Sequence, residues 1–324
     1  MEKVTLKQLA ERLNLSTATV SLALRDDPLI AEKTRRRVRE LANELDYVSN
    51  NMGRALQSSR SHLIGYLIHG VTKSFYNEVL QGAGDAASRT GYGLLVNWIT
   101  ADEKNNFHQM EMMLEKNVDA IIISEHIGAT DTFSERFLRR GKPVIYCTGK
   151  AAKNCSAVVS NDFSGGKTAM EVLHRYHHKK VLITPQWQLR YEGNLAAAEQ
   201  LDMETVSYNS QKEALDLIRK NPDITAVAAY SDEEAMDLMY SLRANNYRVP
   251  EDISIIGFND IPICSRPEFQ LSTIAQQRQK LGECAVELAI DLIEKRQSNP
   301  TTIELDTYYV ERKTVAVNKY FNQK

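Results

Sequence analysis

Hydrophobic residues recur with two different periods along this chain, and the change falls near residue 62. Ahead of it, Leu6, Leu9, Ala10 and Leu13 are spaced i, i+3, i+4, i+7, which is one face of a helix. Thr5, with Gln8 three residues on, predicts a capping box at the start of that helix. Asn14 and Leu15 make a turn, and Ser16 is suited to cap a second helix. In that helix Val20, Ala23 and Leu24 face inward, while Thr17, Ala18, Ser21, Leu22 and Arg25 face out. Beyond Pro28 a third helix is predicted over 32–45, with Val38, Leu41, Ala42 and Leu45 on one side. The outward face of the second helix is short enough to lie deep in a DNA major groove. The same pattern also fits an ordinary small helical bundle.

From residue 62 short β-rich runs alternate with helical stretches. The runs are LIGYLI (63–68), GLLVNW (93–98), VDAIIIS (118–124), PVIYCT (143–148) and AVVS (157–160), then KVLITP (180–185), METVS (203–207), TAVAAY (225–230) and ISIIGF (253–258). Helical segments such as 76–89, 107–116, 165–176 and 233–245 lie between them. This alternation predicts parallel sheets with helices on both faces. Nine strands in two runs predict two doubly wound lobes, with a ligand crevice beyond the strands' carboxyl ends.

Composition narrows the reading. At 324 residues the chain has room for a small domain plus a large bilobed one, and 43% hydrophobic content supports a full core. A net charge of −2 excludes a polycationic coat, so any nucleic-acid contact has to be local. Residues 1–60 hold 11 Lys/Arg against 8 Asp/Glu, whereas the other 264 hold 29 against 34. Lys33, Arg35, Arg36, Arg37 and Arg39 gather near the start of the third helix. A basic head on an acidic body is what a phosphate-contacting module needs, although a basic helix face is often merely solvated. Cys147, Cys155, Cys264 and Cys284 have no CxxC spacing, which argues for reduced thiols and against a disulfide scaffold or a zinc ribbon. Without a signal-type apolar segment or an 18-residue apolar run, the expectation is a soluble, cytoplasmic protein with no membrane partner. Residues 46–61 are polar and end Ser-rich, as a linker would be.

The stretches VTLKQLAERLNLSTATVSLALRDDP, EKTRRRVRELANELDYVSN and NMGRALQ resemble the headpiece and hinge of the lactose-repressor (LacI/GalR) family. Weaker matches follow in NDFSGGKTAMEVL (161–173), AVAAYSDEEAM (226–236), VPEDISIIGFND (249–260) and RKT (312–314). The resemblance implies an all-α helix-turn-helix headpiece over 1–48, a hinge over 49–61, and an effector-binding and dimerisation domain over 62–324. That last domain is expected to be an α/β, bilobed, periplasmic-binding-protein-like body of two doubly wound parallel sheets, the chain crossing between lobes near 160 and 275. It implies a homodimeric transcription regulator, a repressor of a carbohydrate-use operon, that binds a pseudo-palindromic operator in double-stranded DNA. A sugar or related metabolite would control it, with no enzyme activity, cofactor or metal. The short C-terminus after Thr314 has no heptad repeat, so a dimer is expected rather than a zipper-held tetramer.

The same resemblance assigns roles. Thr17, Ala18 and Leu22 would face bases, Thr5, Ser16, Thr19 and Ser21 phosphates, with Leu6, Arg25 and Asn50 completing the DNA-binding set. Leu56, on a hinge helix around 51–57, would be the apolar wedge in the minor groove. Effector candidates sit just past strand ends: Phe75, Thr148, Trp187, Arg190, Ser231 and Asn259. An arginine fork with amide and hydroxyl groups suits vicinal sugar hydroxyls, and Trp187 and Phe75 offer faces to stack on. The chain also departs from the family. Ser49 replaces the usual proline, Gly53 the usual alanine and Ala31 the usual serine cap, while Ser231 and Asn259 stand where relatives often carry Asn and Asp.

Three other signals lead nowhere. Ser164-Gly165-Gly166-Lys167-Thr168 ends like a phosphate-binding loop, but Asn161 stands where its first glycine is required. His174, His177 and His178 cluster at a predicted helix end beside Lys179 and Lys180, where cations complement the helix dipole, with no acidic partner at ligand spacing. Glu233 and Glu234 are adjacent on a helix and point apart, so they form no catalytic dyad.

Overall fold

The computed structural model describes residues 4–47, 60–68, 70, 74–100, 102–124, 130–297 and 299–320. It forms two compact units, Met1–Ser61 and His62–Lys324. The hinge candidates Asn50 and Leu56, with Ser49 and Gly53, lie outside the described residues.

In the first unit α1 (Leu6–Leu13), α2 (Thr17–Leu24) and α3 (Glu32–Glu44) enclose Leu9, Ala10, Leu13, Val20, Ala23, Val38 and Ala42. Asn14 ends α1 in the left-handed region (φ 54°), which asparagine tolerates better than most residues, and so sets the tight turn into α2. The capping box at Thr5 is formed in both directions, and Ser16 accepts from the Thr19 amide at 3.0 Å. Ala31 opens α3 with no side-chain cap.

The second unit carries two six-stranded sheets. The first is ordered β11-β5-β4-β3-β1-β2: Thr302–Leu305, Ser156–Ser160, Val144–Cys147, Ala120–Ile123, Leu63–Ile68 and Gly93–Trp98. The second is ordered β12-β10-β9-β8-β6-β7: Tyr308–Val310, Thr273–Ala275, Ser254–Asn259, Ala226–Ala228, Lys180–Ile183 and Glu204–Ser207. All pairings are parallel except β10 with β12. Helices α4 (Ser74–Arg89), α5 (Glu103–Glu115), α6 (Thr130–Leu138) and α11 (Arg278–Ile293) accompany the first sheet, and α7 (Asp162–Arg175), α8 (Gln188–Gln200), α9 (Gln211–Lys220) and α10 (Asp232–Ala244) the second.

Nine strands are legible in the sequence, and the described residues hold twelve. The additional β10, β11 and β12 are only three or four residues long, and β11 alternates exposed with half-buried positions, so none makes an apolar run of usual strand length. Because β11 joins the first sheet and β12 the second, the chain crosses between lobes a third time at 306–307, besides the crossings after β5 and β10. Among the described residues no helix is long and apolar enough to cross a membrane.

The glycines of the 161–168 segment have a packing role. A Cβ on Gly166 would lie 2.2 Å from the Arg190 carbonyl, and one on Gly193 2.1 Å from the Phe163 carbonyl. The backbones of α7 and α8 touch there, so both positions have to be glycine. The would-be phosphate loop is therefore the interior of α7.

Candidate functional site

The reading face of the headpiece is built from backbone and caps. Thr17 and Ala18 are exposed on α2, Ser21 and Leu22 half-buried, and Leu22 lies outside the headpiece core. Leu6 is half-buried and packs against that core. The hydroxyls of Thr5, Ser16 and Thr19 already have work to do: Thr5 bonds the Gln8 amide and carboxamide, and Ser16 and Thr19 bond each other at 2.8 Å. Of the Ser16–Thr19 pair only one hydroxyl proton is left over for a phosphate oxygen. Arg25, exposed, donates from Nε to the Ser21 carbonyl at 3.2 Å, which leaves its outer nitrogens free.

The basic start of α3 is less of a phosphate surface than its composition suggests. Arg35 donates to the Asp26 carbonyl at 2.8 Å and Arg39 to the Asp26 carboxylate at 3.1 Å. Asp26 is left-handed (φ 58°), so the two arginines hold the strained end of α2 in place. Arg36 pairs loosely with Glu40 at 3.7 Å.

In the body, Phe75, Thr148, Trp187, Arg190, Ser231 and Asn259 surround one cleft between the lobes, together with Tyr76, Tyr230 and Glu233. Phe75, Tyr76 and Thr148 come from the first lobe, at the start of α4 and the end of β4, and the others from the ends of β8 and β9 and the start of α8 and α10. Tyr230 was not singled out from the sequence, and Glu233 only as one half of a pair rejected as a catalytic dyad. Their only sequence signal is that they flank Ser231 just past a strand.

Asp162 organises the lower wall. Its carboxylate accepts from Arg190 Nε at 2.9 Å and from Trp187 Nε1 at 2.7 Å. Arg190 also donates to the Tyr230 carbonyl at 2.5 Å, and its guanidinium lies 3.7 Å from the centre of the Phe258 ring. The arginine is thus fixed on three sides and lies 5.2 Å from the centre of the Trp187 ring, whose N–H the same carboxylate holds. Phe75 sits edge-to-face with Tyr76, ring centres 5.2 Å apart.

Asn259 is held as tightly. Gln276 donates to its carboxamide oxygen at 2.6 Å, which leaves its NH2 donors for other partners, and Arg278 donates to its carbonyl. Arg278 in turn pairs with Glu78 of α4 at 2.8 Å, so a cleft residue of one lobe is tied to the helix that carries Phe75 and Tyr76 in the other. Asn259 (φ 117°) and Thr148 (φ 77°) both adopt backbone that costs non-glycine residues of order 1–3 kcal/mol. Next to them, Asp232 is fully buried and accepts from the Ile261 amide and the Thr273 hydroxyl. Burial pushes its carboxyl up to about 7, against the pull of those two donors.

The histidines correct one expectation. His174 and His177 are exposed, but His178 is buried and is not a cation at a helix end. Its Nε2–H donates to the Ala316 carbonyl at 3.0 Å, so Nδ1 accepts from the Thr225 hydroxyl at 2.8 Å. Burial pushes it down to about 4, and it clamps the C-terminal strap as a neutral ring. Among the described residues no group of three or more His, Cys, Asp or Glu is placed to hold a metal ion.

Known proteins share both units. Residues 5–50 match bacterial regulatory proteins of the lacI family, and residues 166–315 a periplasmic binding protein-like domain. The ribose operon repressor of Bacillus subtilis (strain 168) is 29% identical over 326 residues, covering 96% of this chain and 98% of that one. A crystal structure of the lac repressor dimer bound to operator and the anti-inducer ONPF aligns over 97% of this chain and 100% of its own, with a TM-score of 0.83 at 19% identity. A LacI family transcriptional regulator from Enterococcus faecium with bound ribose aligns over 79% of this chain and 99% of its own, with a TM-score of 0.69 at 24% identity. At such identities the solved structures speak for the fold alone. The chain thus carries a lacI-family headpiece and a periplasmic-binding-protein-like domain, and aligns end to end with a curated ribose operon repressor.

Proposed function

We propose that this protein is a cytoplasmic, DNA-binding transcription regulator: a dimeric repressor of a carbohydrate-use operon that reads a pseudo-palindromic operator and is controlled by a sugar-like metabolite. It is a regulator and not an enzyme. The observation that carries the reading is the convergence on one cleft between the lobes of the six effector candidates, four carried over by the family motif and two aromatics from loops past strand ends. An anchored indole face, a fixed guanidinium and the Asn259 carboxamide are the parts a polyhydroxylated ring needs. Tying Asn259 to Glu78 through Arg278 supports a coupling of lobe angle to ligand of the usual order, about 1–3 kcal/mol or roughly 5- to 150-fold in operator affinity. Asn50 and Leu56 of the hinge belong to this reading through the family pattern. On the DNA side Thr17, Ala18 and Leu22 are too small or too apolar for bidentate base contacts, so readout leans on thymine methyls and DNA shape.

Two measurements test it. The protein is expected to shift a palindromic duplex with a steep salt dependence; a chain that ignores DNA at low salt is a binding module only. Arg190→Ala is expected to abolish the ligand's effect on that shift while sparing operator binding. Loss of both together would make Arg190 a folding residue.

A further inference from the structure

Among the described residues around the cleft, every charged side chain but one has a built-in partner. Arg190 and Asp162 neutralise each other at 2.9 Å with only 10% and 8% of their side chains exposed. Glu78 is paired with Arg278, and Asp260 with Arg312 at 2.6 Å. Glu234 accepts from the Tyr230 amide at 2.8 Å, and Asp232 from Ile261 and Thr273. Glu233 lines the cleft half-buried, and no hydrogen bond or ion pair holds its carboxylate among the described residues. It sits in the first turn of α10, where the helix dipole favours an ionised carboxylate without occupying its oxygens.

We propose that Glu233 fixes the charge of the effector: the cleft takes a donor-rich polyol without negative charge, and rejects its phosphorylated and carboxylated derivatives. This rests on the sugar-like reading of the cleft given above. The physical reason is that a carboxylate only accepts hydrogen bonds, so the ligand atoms that meet it have to be hydroxyl or ammonium donors. Arg190 does not offer an anion a free cation, because Asp162 cancels its charge at contact distance. Among the described residues a ligand phosphate or carboxylate would therefore meet a net negative charge in the cleft and find no free cation to pair with. The Arg190 fork is left with hydroxyls, and Glu233 supplies the opposing acceptor.

The test is calorimetric titration of the full-length protein with sets that differ only in charge: ribose with ribose 5-phosphate, and glucose with glucose 6-phosphate, glucuronate and glucosamine. In whichever set binds, the acid derivative is expected to bind at least about tenfold more weakly than the neutral parent, as like-charge juxtaposition requires. Glu233→Gln is expected to shrink that gap at least tenfold, and Glu233→Lys to invert it, each with operator binding retained as the check on folding. A merely structural Glu233 would lower all members together and leave the ratio alone. An acid derivative that binds as tightly as its parent overturns the charge rule and leaves the sugar-like reading standing. If no member of either set binds, that reading falls and the assignment of Glu233 with it.

Discussion

The reading face of α2 and the wall of the cleft are made in opposite ways. On α2 the residues expected at bases, Thr17 and Ala18, stand exposed without side-chain partners, and what is fixed is the backbone, by Ser16 at one end and the Arg35 and Arg39 contacts to Asp26 at the other. In the cleft the side chains themselves are fixed, Arg190 and Trp187 by Asp162, Asn259 by Gln276 and Arg278. A large, rigid polymer supplies most of the order at the first surface, so presenting a correctly angled helix suffices. A small ring supplies none, and a site for it has to be ordered before it arrives. Substitutions should therefore hurt the cleft through the hidden partner, and the headpiece through its caps.

The largest expected effect comes from Asp162→Asn. Asp162 touches no ligand space yet holds two cleft residues, and removing its charge leaves Arg190 buried and uncompensated. Breaking such a pair costs about 3–5 kcal/mol, so the body should unfold at distinctly lower denaturant and effector affinity should fall at least about a hundredfold. Unchanged affinity in a folded variant would mean that Arg190 and Trp187 are held by something else, and the contrast with α2 would be lost.

Acid separates the two units next. All seven histidines lie in the body, and His178 is the one that burial holds near pKa 4. Its folded value is below the unfolded one of about 6.5, so its contribution is complete above that pH and is lost as pH falls from about 6.5 towards 4. The gap corresponds to at most about 3 kcal/mol at pH 4. Denaturant curves recorded from pH 7 to pH 4 should show it, and His178→Gln should flatten that limb while lowering stability at pH 7. An unflattened limb would assign the acid sensitivity to other groups.

The sequence carried the two sites unequally. Helix spacing, Thr5 with Gln8, and Ser16 announce α1 and α2, because caps and periodicity are local. The six cleft residues were reachable because ligands in such folds gather beyond strand ends. Asp162, Gln276 and Arg278 were not, since each acts on a residue 17 to 28 positions away and nothing local marks a carboxylate as an arginine's partner. Arg35 and Arg39 misled for the same reason: a basic run reads as a phosphate surface until Asp26 is seen beneath it. His178 read as a helix-end cation because the strap that covers it is 138 residues further on. Strands β10 to β12 escaped because a three-residue strand is defined by its neighbours and not by its own pattern.

A smaller effect is expected at Ser16. Its hydroxyl accepts from the Thr19 amide and pairs with the Thr19 hydroxyl, so Ser16→Ala should destabilise α2 by about 1 kcal/mol. Operator affinity should fall more than that stability change alone explains, because the same substitution removes a donor from the phosphate-facing edge. Equal losses in the two measurements would mean that Ser16 is a cap and nothing more.

The smallest expected effect has the opposite sign and probes the same principle. Ala31 occupies the N-cap of α3 with extended backbone (ψ 139°) and no side-chain bond, so an amide of the first turn goes without the partner that Thr5 and Ser16 give to α1 and α2. A serine there needs no backbone change and would accept from the amide of Lys33, that of Thr34 already donating to the Ala31 carbonyl at 2.8 Å. Ala31→Ser should stabilise α3 by up to about 1 kcal/mol. In the full-length protein that appears as amide exchange along α3 slowed by as much as about fivefold, with exchange in the body unchanged. If the headpiece is ordered by its caps, the gain also tightens operator binding slightly, because α3 holds Asp26 and through it the end of α2. Slower exchange without tighter binding would show that α2 is already as well fixed as DNA requires.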